Sequence, residues 1–248
     1  MITVAYGTSP SQVADLYLAS ADRTAIVGLL HGGFWRVPYG REELAPIAED
    51  LAAHGFNVWN IEYRRIDEAG GGWPGTFLDV ALALDHLALL AHEYPQLDVT
   101  RVAVAGHSAG GQLALGAASA AGFAPSTVRP VAVAALAAVS DLECAYRLDS
   151  GRGAVRELLG GSPTQVPERY ARVSPLRLLP LHVPQLILHG DADPALPPSM
   201  ARDYVEAARR AGDAVRHIEI QRMGHMDYLD VRSQAHCALR NWLADTLG

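Results

Sequence analysis

A chain of 248 residues, half of them hydrophobic and 19% charged, has the apolar material for a buried core and none of the bias of a disordered or collagen-like polymer. Its 27 acidic against 20 basic residues give a formal charge of −7, which argues against nucleic acid and anionic membranes as partners. Every basic residue is an arginine, so a Schiff-base lysine, a pyridoxal-phosphate anchor, a phosphate-loop lysine and a serine–lysine dyad are excluded.

From the N-terminus, short apolar runs bounded by turn residues alternate with longer amphipathic ones. They predict a strand over 25–30, a helix over 42–53, a strand over 56–61, a helix over 76–93, a strand over 102–105 and a helix over 109–121. A strand over 131–139, a helix over 154–159, a strand over 185–188, a helix over 198–211, a strand over 215–220 and a helix over 229–247 follow. Such alternation implies βαβ crossovers, hence an α/β fold with a mostly parallel sheet covered on both faces and active groups at the strands' carboxyl ends. A single domain over 1–248 is expected. The segment 141–184, rich in Pro, Gly and Arg, is too short for a second domain and is expected to form a short lid.

Cys144 and Cys237 lack the paired spacing of a zinc or redox motif and read as buried free thiols. The N-terminus has no basic leader before an apolar run, and the longest unbroken aliphatic stretch, 131–139, falls well short of the roughly 20 residues a bilayer needs. A soluble, cytoplasmic protein is the expectation.

The strongest local signal is Arg101-Val-Ala-Val-Ala-Gly-His-Ser-Ala-Gly-Gly111, an apolar strand running through Gly-x-Ser-x-Gly into an alanine-rich helix. A serine on that sharp a turn needs small residues two positions to either side, which Gly106 and Gly110 supply, and it faces a helix N-terminus that favours developing negative charge. Ser108 is the candidate nucleophile.

A serine hydroxyl needs a base to take its proton and a carboxylate to orient that base. In this fold they follow in the order acid, then histidine. His225 stands in Arg222-Met-Gly-His-Met-Asp227, between the last predicted strand and the final helix, where a base belongs. His189, His217 and His236, on strands or in a helix, read as structural or surface groups. For the acid, Asp191 and Asp193 compete in Leu186-Ile-Leu-His-Gly-Asp-Ala-Asp-Pro194. Asp193 is favoured because it stands deeper in the loop with Pro194 after it, whereas Asp191 follows Gly190 directly and can bond its own turn; Asp227 is a third candidate. Oxyanion donors are expected from the amide of Ala109 and, in the glycine loop Leu29-Leu-His-Gly-Gly-Phe-Trp35, from Gly33 and Phe34. His31 is read as a structural hydrogen-bonding group. Phe34, Trp35, Tyr63 and Trp73 are candidates for an aromatic substrate wall, with Trp35 and Trp73 equally readable as core anchors under glycine loops. Arg64 and Arg65, between Glu62 and Asp67, read as exposed ion pairs more readily than as a site for an acidic substrate group.

With these segments placed, the chain resembles the α/β-hydrolase superfamily over nearly its whole length. His31-Gly-Gly-Phe-Trp35, Gly106-His-Ser-Ala-Gly-Gly111 and Ser140-Asp-Leu-Glu143 are similar to the corresponding segments of the kynurenine formamidase (arylformamidase) group and small carboxylesterases. The resemblance implies a triad of Ser108, Asp193 and His225, an oxyanion site at Gly33, Phe34 and Ala109, a small acyl ester or amide substrate, and neither metal nor organic cofactor. Esterase, arylformamidase, thioesterase and transacylase remain open, as does a homo-oligomer. A binding protein on the same scaffold would usually have lost a triad member.

Overall fold

The computed structural model describes residues 1–20, 24–120, 122–124 and 126–248. Among these, eight strands form one sheet: β1 (Ile2–Ala5), β2 (Val13–Tyr17), β3 (Thr24–Leu30), β4 (Asn57–Ile61), β5 (Leu97–His107), β6 (Ala132–Leu136), β7 (Gln185–Gly190) and β8 (Val215–Ile220). Their order is β1-β2-β4-β3-β5-β6-β7-β8. The β1–β2 and β2–β4 pairs are antiparallel, and every later pair is parallel. The expected α/β fold with a mostly parallel sheet is therefore the fold observed.

The helices are α1 (Ala45–Ala53), α2 (Gly75–Glu93), α3 (Ala109–Ala118), α4 (Leu142–Arg147), α5 (Ala154–Leu159), α6 (Pro167–Val173), α7 (Pro198–Arg210) and α8 (Gln234–Leu247). The twofold alternation of strand side chains divides the core into two layers. On β5, Val102 and Val104 pack with Phe77, Leu84, Leu113 and Tyr204 of α2, α3 and α7. Ala103 and Ala105 face the other way, toward Ile47, Leu51, Leu239 and Trp242 of α1 and α8. By length and composition α2 is apolar enough to cross a membrane; its Phe77, Val80, Leu84 and Leu87 are buried in the first layer.

Two strands and two helices depart from the sequence expectation. In β1 and β2 the apolar residues come in short groups broken by Thr3 and Asp15, so neither carries a clear period. Asp15 is nonetheless buried, accepting bonds from Thr3 Oγ1 (2.6 Å) and Arg41 Nε (2.8 Å). Of the helices over 141–184, only α5 was expected, because α4 and α6 are too short to show periodicity. Asp141 does cap α4 through Oδ1, which accepts from the amides of Glu143 (2.9 Å) and Cys144 (3.1 Å). The helix predicted over 109–121 stops at Ala118, and its predicted last residue, Ala121, lies outside the described residues. The final helix begins at Gln234 rather than 229, where Ser233 Oγ accepts from the His236 amide at 3.1 Å. Cys144 and Cys237 are free and half-buried rather than buried.

Candidate active site

β5 ends at His107, α3 starts at Ala109, and Ser108 makes the turn between them at φ 54°, ψ −115°. Such a backbone is strained for a residue with a side chain and persists because its surroundings over-determine it. Here the Ser108 amide donates to Leu136 O (2.8 Å), while its carbonyl accepts from the amides of Val139 and Gln112 (3.2 Å each). The glycines are required sterically. A Cβ on Gly106 would stand 2.1 Å from the Gly110 carbonyl oxygen, and one on Gly110 would stand 2.0 Å from that of Leu30.

His225, on the loop after β8, brings Nε2 to 3.0 Å from Ser108 Oγ and Nδ1 to 2.7 Å from Asp193 Oδ2. An ionised Asp193 can only accept, so Nδ1 carries the proton and Nε2 presents its lone pair to the serine hydroxyl. Asp193 Oδ1 accepts from the amides of Ala195 (2.8 Å) and Leu196 (3.0 Å). Burial pushes its carboxyl up, but bonds from His189, His225 and the Leu196 amide outweigh that and hold it well below the usual carboxylate range. The other acid candidates turn elsewhere. Asp191 accepts from the Arg222 amide (2.5 Å) and Asp227 from the Gly224 amide (2.7 Å).

Two further histidines contribute: His107, which the sequence did not single out, and His189, which it read as a structural or surface group. His107, buried behind the elbow, donates Nε2–H to the His225 carbonyl (2.8 Å). Burial and the neighbouring His225 push it down to about 3, so it stays neutral. His189 Nε2 lies 3.3 Å from Asp193 Oδ2 and 3.1 Å from Leu196 O. By contrast, His236 binds Asp50 (2.7 Å) and takes no part in the site.

The glycine loop after β3 lies against the elbow, for a Cβ on Gly32 would stand 3.3 Å from Ser108 Cβ. Gly33, Phe34 and Trp35 have φ of 90°, 56° and 55°. Among the described residues the amides of Gly33 and Phe34 meet no backbone acceptor, and Ala109 is the first residue of α3, where an amide has no partner inside its own helix.

The expected aromatic wall is corrected in part. Trp35 is 1% exposed and donates Nε1–H to Gln112 Oε1 (3.2 Å); Tyr63 is 0% exposed and donates its hydroxyl to the His31 carbonyl (2.9 Å). Both anchor the loop from within the core and leave no face for a substrate. Trp73 is half-buried beside Phe77 and Arg169, and Phe34 is half-buried with its ring against Gly151, so α4–α5 closes over the loop. Arg36 ties the two together through Glu157 (2.6 Å). Gln112, a buried amide in an alanine-rich helix, links Trp35 to the Val173 carbonyl (2.9 Å); its polarity among apolar neighbours was the available signal. Arg64 and Arg65 form ion pairs as expected, but half-buried ones, with Asp79 (2.6 Å) and Glu68 (2.8 Å).

The sequence profile of the BD-FAE family matches residues 14–207. Among solved structures, a bifunctional GH43-CE protein of Bacteroides eggerthii superposes with a TM-score of 0.85 at 19% identity, covering 99% of this chain and 38% of that one. The chain thus spans little more than a third of that protein's length. A truncated carbohydrate esterase from gut microbiota gives 0.82 at 21% identity, covering 99% and 96%. A thermophilic esterase of the planctomycete Thermogutta terrifontis, in its propionate-bound form, gives 0.78 at 20% identity, covering 98% and 92%. That esterase is also known bound to butyrate and phosphorylated by paraoxon. At these identities the likeness is one of fold, the α/β-hydrolase type. No curated protein matches the chain.

Proposed function

The chain belongs to the BD-FAE family, esterases of the α/β-hydrolase type, and from that premise we propose that it hydrolyses small acyl or aromatic esters through Ser108, His225 and Asp193. The observation that carries the reading is the continuous chain from Ser108 Oγ through His225 (3.0 Å) to Asp193 (2.7 Å).

In the first step His225 Nε2 takes the Ser108 proton as Oγ attacks the acyl carbon. The carbonyl electron pair moves onto oxygen, where the amides of Gly33, Phe34 and Ala109 receive it; a well-aimed donor of this kind is worth about 3 kcal/mol of barrier. Asp193 stabilises the imidazolium. Collapse breaks the ester C–O bond, and Nε2–H protonates the departing alcohol. Water, deprotonated by the same nitrogen, then attacks the acyl-enzyme, and the proton returns to Ser108 as the acid leaves.

A small acyl group is favoured because Phe34 and Gly151 meet directly beside the oxyanion loop. The propionate and butyrate bound to the Thermogutta esterase support this choice. The two carbohydrate-esterase neighbours support a sugar as one class of alcohol.

The test is hydrolysis of p-nitrophenyl acetate, butyrate and octanoate, a feruloyl ester, an acetylated sugar and N-formylkynurenine by wild type and Ser108→Ala. Wild type is expected to prefer acetate or butyrate to octanoate, and the variant to lose at least about 10³-fold in kcat. Preference for N-formylkynurenine would replace the reading with arylformamidase. No turnover of any member would overturn both.

A further inference from the structure

Over the oxyanion loop, residues 141–157 carry four carboxylates, and each is engaged. Asp141 caps α4, and Glu143 pairs with Arg177 (2.9 Å). Asp149 Oδ1 accepts from the Gly153 amide (2.8 Å), and Glu157 holds Arg36 (2.6 Å). The same stretch carries Arg147, Arg152 and Arg156, all exposed, and among the described residues none of them is paired with a carboxylate. Elsewhere the arginines of this chain commonly are paired, as Arg41, Arg64, Arg202 and Arg240 show. Unpaired guanidinium groups gathered on one element repel one another, and in a chain of net charge −7 they do not follow from a generally basic composition. An anionic group on a ligand would relieve that repulsion.

Arg147 and Arg156 line one cavity of about 350 Å³ between α4 and α5, together with Tyr146, Asp149, Ser150 and Val155. The volume is that of a small-ligand site. Tyr146 is half-buried and held edge-on to the buried Tyr170, with ring centroids 6.3 Å apart, so it offers a fixed aromatic wall. A guanidinium fork matches a carboxylate with two parallel hydrogen bonds, a tyrosine ring suits the apolar face of a sugar, and Ser150 adds a hydroxyl for the sugar's own.

The cavity adjoins the catalytic site through a single turn. Its wall residues Asp149 and Ser150 lead into Gly151, which meets the Phe34 ring of the oxyanion loop, and the Arg152 carbonyl accepts from Arg36 Nη2 (3.4 Å). Gly32, two residues before Phe34, stands against Ser108. A group seated in the cavity therefore belongs to the part of an ester remote from the bond that breaks.

We propose that the cavity between α4 and α5 is a subsite for the alcohol half of the ester, and that it takes a sugar ring bearing a carboxylate, bound by Arg147 and Arg156 against Tyr146. The proposal rests on the serine-esterase reading above and deepens it, naming an acidic saccharide as the alcohol.

The test is steady-state hydrolysis of two acetylated disaccharides that differ only in the distal ring, glucuronic acid in one and glucose in the other. Each protein is scored by the ratio of its two kcat/KM values, so a general loss of activity divides out. At about 20 mM salt wild type is expected to favour the acidic substrate about tenfold, chiefly through KM. At about 0.5 M salt the ratio is expected to fall below about threefold, as screening weakens an exposed charge contact. Arg147→Gln with Arg156→Gln is expected to bring the ratio near one, and Arg156→Glu alone to reverse the preference. A wild-type ratio near one, or a ratio the double variant leaves unchanged, overturns the proposal while leaving the esterase reading intact. So does a wild type that hydrolyses p-nitrophenyl acetate but neither disaccharide. A wild type that neither turns over any ester nor takes a fluorophosphonate on Ser108 overturns the esterase reading, and the subsite with it. Should the double variant fail to fold, the wild-type ratio at the two salt concentrations and Arg156→Glu still decide.

Discussion

Replacing Asp193 by asparagine retains an oxygen for the amides of Ala195 and Leu196 but presents an NH₂ to His225 Nδ1. The imidazole must then adopt the other tautomer, with its proton facing Ser108, and can no longer act as a base. The expected fall in kcat is about 10⁴-fold with the fold intact. Asp191→Asn, two residues away, removes only part of a turn contact to the Arg222 amide and is expected to stay within about twofold of wild type. Steady-state kinetics of the pair decides which carboxylate serves the base. The depth of Asp193 in the loop was legible in the sequence, although the turn contact expected of Asp191 is made by Asp193, with the amides of Ala195 and Leu196, while Asp191 bonds the Arg222 amide of a neighbouring loop. The contribution of His107 was not. Its role is fixed by a contact with His225, 118 positions away, and no local pattern carries that information.

Among the elements, the strand–turn–helix from β5 to α3 depends on backbone approaching backbone. Gly110→Ala would drive a Cβ to 2.0 Å from the Leu30 carbonyl oxygen, so β3 and α3 would have to part. A loss above about 3 kcal/mol of stability, or failure to fold, is the expected outcome in a thermal melt; a melt unchanged from wild type would contradict the packing. The same closeness explains why this segment was readable in advance: a steric demand restricts residue types at fixed positions. β1 and β2 were missed for the opposite reason. Their short apolar groups gain order from pairing, β2 with β4 and β1 with β2, a tertiary effect, and Asp15 sits inside only because Arg41 and Thr3 meet it there. The helices α4 and α6 likewise owe their place to contacts such as the Leu142 amide on Ser174 Oγ (3.0 Å) rather than to periodicity. Trp35 and Tyr63 carry a similar lesson, because an aromatic residue next to a glycine loop reads alike whether it faces ligand or core.

For the molecule as a whole, acid is the destabilising direction. His107 is held neutral with a folded value of about 3 against an ordinary 6.5. Between those values the unfolded chain binds a proton that the folded chain refuses, so this contribution is complete above about pH 6.5 and erodes as pH falls toward 3. Asp193, also shifted down, contributes above the ordinary carboxylate range and loses its contribution as pH drops below it. Urea unfolding between pH 4 and 7.5 is expected to show stability rising with pH. His107→Gln, which keeps a donor near the His225 carbonyl without titrating, is expected to flatten that rise by up to about 1.4 kcal/mol per pH unit. An unchanged slope would remove His107 from the account.

The alternation of strands and helices across the chain was sufficient to anticipate the parallel sheet and the end of it at which the site would form. The convergence of Ser108, Asp193 and His225 from three separate loops is what the folded structure adds. The most direct measurement of its consequence is intact-protein mass spectrometry after exposure to paraoxon, followed by peptide mapping. One phosphoryl adduct on Ser108, absent from Ser108→Ala and matched by proportional loss of ester hydrolysis, is the predicted result. No adduct, or an adduct elsewhere with hydrolysis intact, would contradict Ser108 as the nucleophile.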